Sequence, residues 1–290
     1  MFPLDTPSIS RPAGGTGELR VTWIGHSTTL IQLGGTNILT DPIWSRRASP
    51  VQWAGPARLV PPALRMEELP PVHVVLVSHN HYDHFDDRSI RRLARRFPEA
   101  RWFAPPGLAL ALGRRGVREV TELGWWQEVE VGGGTGLRVG ATPAQHFSAR
   151  SPWDRNRSFW CGYAIRGDDL GVYFAGDTGY HPEFRRIAER FGPFDLCLIP
   201  IGAYEPRWFM RVVHMNPEEA VRAFQDLRRA HPATGRRGAF VPIHWGTFRL
   251  TDEPMEEPPE RTRLAWAANG MEAGDLVVLR HGGTWERTED

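Results

Sequence analysis

The chain has 290 residues, 41% hydrophobic and 24% charged, with a net charge of +1. That is the composition of an ordinary globular protein with a sizeable core, and its charge balance gives no global pull toward nucleic acid or anionic membrane. All 35 basic residues are arginine, which excludes Schiff-base lysines, phosphate-loop lysines and Ser-Lys dyads.

Residues 1–18, polar and rich in Pro and Gly, read as a flexible arm before a single domain over 19–290. No basic start followed by an apolar stretch marks a secretory signal, and no apolar segment approaches the roughly 20 residues of a spanning helix. A cytoplasmic protein is expected. Three short strands in meander spacing come first, Leu19–Ile24, Thr28–Leu33 and Asn37–Thr40, with turns at Gly25-His26-Ser27 and Gly34-Gly35. Trp44 to Pro62 holds too much Pro and Gly for regular structure, and a loop of that length is more often functional than idle.

His73–Ser78 then predicts a buried strand and Asp87–Phe97 a surface helix with its arginines toward solvent. A strand at Trp102–Ala104, a short helix at Gly107–Gly113, and a hairpin of Glu128–Val131 with Leu137–Ala141 follow. The second half repeats this grammar. Strands are predicted at Tyr163–Ile165, Gly171–Ala175, Phe194–Ile201, Ala239–Ile243 and Asp275–Arg280, and helices at Pro182–Phe191 and Pro217–Arg229. Asn216 caps the last helix, whose first turn carries Glu218 and Glu219. Cys161 and Cys197 lie in apolar strand-like stretches and read as buried small hydrophobes.

Chemistry concentrates in Ser78-His79-Asn80-His81-Tyr82-Asp83-His84, directly after a buried strand. Three imidazoles and a carboxylate in six positions read first as a metal site, because neutral imidazole and carboxylate are common zinc ligands. His146, Asp177 and His244 stand at the C-terminal ends of later predicted strands, where ligand sites of α/β sheets gather. Singly each is ordinary; with the cluster they make five histidines and two aspartates. Catalytic zinc takes about three protein ligands, so this set suits two metals sharing one carboxylate better than one metal.

His79-x-His81-x-Asp83-His84 with the later His, Asp and His resembles the metallo-β-lactamase superfamily. The resemblance implies an α/β fold, a four-layer αββα sandwich in a single domain with the metals at one sheet edge. Longer stretches are similar to the phospholipases D that hydrolyse N-acylphosphatidylethanolamine: Thr40–Ile43, Ser78–His84, Thr142–His146, Ala175–Tyr180, Gly192–Asp195, Ile199–Met210 and His244–Phe248. By that resemblance His79, His81 and His146 hold one zinc, Asp83, His84 and His244 hold the other, and Asp177 bridges them as a catalytic carboxylate. Gln52 and His214 fall near the substrate's phosphate and glycerol, with His214 also a catalytic candidate. Asp41 becomes a carboxylate behind a ligand histidine.

The implied activity is a phosphodiesterase of phospholipase D type, acting on N-acylphosphatidylethanolamine-like glycerophospholipids through a hydroxide between two Zn2+. Manganese and iron accept the same ligands. The alternative on this site is a lactonase or other carboxylic-ester hydrolase. A protein with purely structural metals is a third reading, against which stands the absence of cysteine near the motif. Expected partners are a small-molecule or phospholipid substrate and a peripheral membrane contact without a spanning segment. No nucleic acid is expected, and a homodimer is open. The chain departs from the phospholipase pattern in carrying Val213 beside His214 where a glutamine is expected. Trp125, Trp126, Trp153, Trp160 and Trp208-Phe209-Met210 are candidates for an apolar groove.

Overall fold

The structure is a computed structural model, described for residues 3–9, 17–167, 169–229 and 238–287. Among these residues the strands are β1 Leu19–Gly25, β2 Thr28–Leu33, β3 Thr36–Thr40, β4 Val74–Leu76, β5 Arg101–Ala104, β6 Val120–Glu122, β7 Glu128–Glu130, β8 Arg138–Thr142, β9 Gly162–Gly167, β10 Leu170–Phe174, β11 Leu196–Pro200, β12 Ala239–Ile243 and β13 Thr284–Glu286. The helices are α1 Asp87–Arg96, α2 Ala109–Gly113, α3 Glu183–Phe191, α4 Arg207–Met210, α5 Pro217–Arg229 and α6 Glu257–Ala268.

The strands form two sheets, ordered β13-β1-β2-β3-β4-β5-β6 and β12-β11-β10-β9-β8-β7. Tight turns make β1, β2 and β3 an antiparallel meander, whereas β3 to β6 run parallel. In the second sheet β10, β11 and β12 are parallel. The parallel connections carry α1 and α2 on one side and α3 and α5 on the other, which is how parallel strands come to be covered on both faces.

Strand β4 and the residue after it show the layering in four side chains. Val74 and Leu76 enter the core between the sheets, while Val75 and Val77 point outward to Ile90 and Leu93 of α1. Phe184 and Ile187 of α3, Phe224 of α5 and Trp266 of α6 join the core on the opposite side. The architecture is therefore a four-layer αββα sandwich in one domain. Full burial of each such side chain contributes about 1.5–3 kcal/mol relative to exposure.

Several elements differ from the sequence reading, which did not predict the short β6 and α4, the edge strand β13 or helix α6. The run Asp275–Arg280 is not a strand: Ala273–Asp275 is a 3-10 turn and Leu276 makes a single bridge to Phe240. Val277 and Val278 pack on the core without a ladder, so burial alone produced the strand-like pattern. The edge strand is β13, paired with β1. Helix α6 escaped the periodicity because Pro258 and Pro259 interrupt it, yet they occupy its first turn, where proline costs no hydrogen bond. Of the arm expected over 1–18, residues 1–2 and 10–16 lie outside the described residues. Within 3–9, Leu4 bridges to His281, and the Ser8 N–H donates to Thr284 Oγ1 at 3.1 Å.

Candidate metal centre

The loops that follow β3, β4, β8, β10 and β12 meet at one end of the sandwich and carry Asp41, residues 79–84, His146, Asp177 and His244. The His79–Asp86 loop is held firmly. Asp86 caps α1 by accepting the Ser89 N–H, and Arg150 donates to the carbonyls of Asn80 and Phe85 at 2.9 and 2.8 Å. His146 is brought to Asp177 by the bridge between Gln145 and Gly179.

Three histidines form the first group. His79 Nε2 and His81 Nδ1 are 2.8 Å apart, and His146 Nε2 is 3.2 Å from His81 Nδ1. The other nitrogens of two of these rings are spoken for. Ser78 Oγ gives its hydrogen to Asp41 and so accepts from His79 Nδ1 at 2.9 Å, while His146 Nδ1 donates to the Val213 carbonyl at 2.9 Å. Both Nε2 atoms thus turn lone pairs inward. Burial, with neighbouring histidines adding to it, holds His79 well below its ordinary pKa, and burial likewise lowers His81 and His146.

Asp83, His84 and His244 form the second group, and His26 lies close enough to be counted with them. Asp83 Oδ2 lies 3.3 Å from His84 Nε2 and 3.4 Å from His244 Nε2. His84 Nδ1 donates to Asp41 Oδ2 at 2.6 Å. Asp177 Oδ2 stands between the groups, 3.0 Å from His84 Nε2, 3.1 Å from His244 Nε2 and 3.9 Å from both His79 Nε2 and His146 Nε2. Burial pushes Asp177 up, but His244 and His84 outweigh it and hold the carboxyl well below its usual range. Conversely burial lowers His244, yet Asp177 and Asp83 raise it to about 9.

The donor set fits a pair of divalent cations. Zinc–nitrogen bonds of about 2.0–2.1 Å in tetrahedral geometry put neighbouring ligand nitrogens about 3.3 Å apart, close to the spacing in the first group. Asp177 Oδ1 is buried without a hydrogen-bond partner, and His84 Nε2 and His244 Nε2 converge on the carboxylate oxygens of Asp83 and Asp177. A buried oxygen in that state suits a bound cation as its partner.

Residues 36–245 match the family model described as a beta-lactamase superfamily domain. The chain belongs to the metallo-β-lactamase superfamily. This member is 40% identical to the N-acyl-phosphatidylethanolamine-hydrolyzing phospholipase D 1 of Caenorhabditis elegans, over 93% of the chain and 76% of that protein. It is 35% identical to the mitochondrial N-acyl-phosphatidylethanolamine-hydrolyzing phospholipase D of Saccharomyces cerevisiae, over 84% of the chain and 51% of that protein. In fold it matches a metallo hydrolase from the archaeon Ignicoccus hospitalis with a TM-score of 0.67, at 23% identity over 94% and 100% of the two chains. Like its relatives, this metallo-β-lactamase superfamily member is a metal-dependent hydrolase.

A cavity of about 290 Å³ opens over the centre. His81, Asp83, Asp177 and His214 line its floor side, and Phe147, Phe209, Met210, Val212 and Leu250 supply apolar surface beside Arg155. His214 is buried, its Nδ1 has no partner, and burial lowers it to about 4. Gln52 is not brought here: its side chain folds back on the Arg47 backbone, accepting from N and donating to O. Trp125, Trp126, Trp153, Trp160 and Trp208 do not line the cavity either, leaving Phe209 and Met210 from the expected groove set.

Arg155 in the cavity wall was not singled out from sequence, nor were two residues beside the centre. Arg150 sits far along the chain in a polar loop, and nothing local marks its reach. His26 lies in the turn between β1 and β2, with Nε2 2.8 Å from Asp83 Oδ2. The Gly-His-Ser turn was the available signal.

Proposed function

We propose that the chain is a phosphodiesterase of phospholipase D type that cleaves N-acylphosphatidylethanolamine-like glycerophospholipids with two zinc ions. His79, His81 and His146 would hold one ion and Asp83, His84 and His244 the other, with Asp177 shared. The observation that carries this reading is Asp177 Oδ2, within 3.9 Å of four inward-facing histidine nitrogens under a cavity with one apolar wall. Bound ions supply an activated water and neutralise charge on phosphoryl oxygens.

The chain's own residues orient the substrate. Arg155 stacks over Phe147 at 4.7 Å and offers a cation for a phosphate entering the cavity. Neutral His214 has one N–H, which suits a phosphoryl or leaving-group oxygen, and one lone pair. Phe209, Met210, Val212 and Leu250 suit an acyl chain and keep bulk water from the reacting end. Trp208, Phe209 and Val212 are exposed beside this wall, which favours peripheral contact with a lipid surface. Among the described residues no helix is long and apolar enough to cross a membrane. A cytoplasmic location belongs to the same proposal.

The test is product analysis with the zinc-loaded protein. N-acylphosphatidylethanolamine should yield an N-acylethanolamine and phosphatidic acid. Turnover of lactones or carboxylic esters with none of any phosphodiester overturns the proposal and installs the lactonase alternative.

A further inference from the structure

The turn that carries His26 is fixed from three directions. Its backbone is left-handed, with φ of 57°, a region that few residue types other than glycine enter. Its N–H donates to Thr247 Oγ1 at 2.7 Å, and its carbonyl accepts from Trp23 Nε1 at 2.7 Å and from the His244 N–H at 3.1 Å. The ring lies 4.0 Å from the His244 ring and is 1% exposed. An uncommon conformation held by this many independent contacts marks a side chain whose direction matters.

That direction is toward Asp83. A carboxylate only accepts, so the 2.8 Å contact requires the proton on His26 Nε2. His26 Nδ1 is buried with no partner, so among the described residues this is the one hydrogen bond the ring makes. Asp83 itself borders the open cavity, and of the three histidines around its Oδ2, His26 at 2.8 Å is nearer than His84 at 3.3 Å and His244 at 3.4 Å. Resting on the paired-metal reading above, we propose that His26 is a positioning residue for Asp83: it pins Oδ2 toward His84 and His244 and thereby sets the affinity of the second metal group. His26 holds the ligand and is not itself one.

The test reads metal uptake without substrate. Metal-free wild type, His26→Ala and His26→Gln are titrated with zinc against a chromophoric chelator, and with cobalt(II) followed by its visible absorption. His26→Ala should weaken one of two ions by about 10–100-fold, the usual loss when a partner behind a ligand is removed. It should change the cobalt band of that ion and leave the three-histidine ion unaltered. His26→Gln, whose amide N–H can still reach Asp83, should recover most of the loss. Wild-type affinity for both ions in His26→Ala overturns the proposal. Loss of one ion from both variants also overturns it, because His26 would then be a ligand. Equal weakening of both ions marks a merely structural role, and a wild type that takes one ion removes the second group altogether. Should His26→Ala not fold, His26→Phe, which keeps a ring but has no N–H, replaces it: loss of affinity for one ion that His26→Gln restores upholds the proposal, and unchanged affinity for both ions overturns it. A wild type that takes up two ions but cleaves no phosphodiester defeats the proposed activity and leaves this inference standing.

Discussion

Asp41 Oδ2 and His84 Nδ1 lie 2.6 Å apart, and neither side chain has any exposed surface. Asp41 also accepts from the Ser78 N–H and hydroxyl, at 2.7 and 2.6 Å. One carboxylate therefore orients His84 directly and, through Ser78, His79, so it reaches both histidine groups. Its φ of 31° is one that aspartate and asparagine tolerate. Asp41→Asn should keep the backbone while removing the charge behind His84, and zinc affinity should fall by about 10–100-fold. Chelator competition measures this; unchanged affinity would count against the relay.

Asp177→Asn removes the charge between the two groups with hardly any change of shape. Turnover should fall by about two orders of magnitude or more, with the circular dichroism spectrum unchanged. Near-full activity would argue against a shared carboxylate at this position.

The two metal groups should fill with different pH dependence. His79, His81 and His146 are held below their ordinary pKa by burial and are already neutral near pH 7, so an ion enters there without expelling protons. His84 is raised well above its ordinary value because Asp177, Asp83 and Asp41 outweigh burial, and His244 is raised to about 9. In the metal-free chain both carry protons at pH 7, which an incoming ion must displace. Affinity at the second group should therefore climb as pH rises toward about 9, while the first stays flat above about pH 6.5. Calorimetry in buffers of different ionisation heat counts the released protons, and equal counts for both ions would refute the asymmetry.

Acid should destabilise the fold before its carboxylates titrate. His181 and His281 are each lowered to about 4 by burial, with Arg58 adding to the effect on His281. For a histidine whose folded pKa lies below its unfolded value, the unfolded chain takes up the proton first. The associated stability is complete above about pH 6.5 and drains as pH falls toward 4, by about 1.4 kcal/mol per pH unit for each proton. Urea midpoints of the metal-free protein at pH 7, 6 and 5 should fall stepwise, and a flat series would contradict the burial of these rings.

Gly202 faces the carbonyl of His244 so closely that an added Cβ would sit 2.2 Å from that oxygen. The obstacle is backbone and cannot swing aside. Gly202→Ala should cost on the order of 1–3 kcal/mol of stability and displace His244, lowering affinity for one ion more than for the other. A thermal melt paired with zinc titration checks both effects.

Sequence patterning made the sandwich legible because most strands are buried on both faces and read as short apolar runs, as Val74–Val77 and Leu196–Ile199 do. It failed where burial comes without pairing, at Val277 and Val278, and where proline sits in a helix's first turn, at Pro258 and Pro259. In the centre, residues of ligand type at strand ends could be picked out one by one. Gln52 could not be placed, since its loop turns its amide back on Arg47. His26 and Arg150 were hidden for a different reason. Their partners, Asp83 and the Asn80 carbonyl, are 57 and 70 residues away, and no local pattern encodes a contact that only the packed sheets create.

The inward-facing groups are divided between the sheets: His79, His81, Asp83 and His84 follow β4 in the first, while His146, Asp177 and His244 follow β8, β10 and β12 in the second. A cation seated among them is a rivet across the seam of the sandwich. Stripping it should let that rim breathe, with amide exchange quickening around residues 79–84 and 177–181 long before the far edge loosens. Resistance to proteolysis at the mouth then becomes a gauge of metal supply.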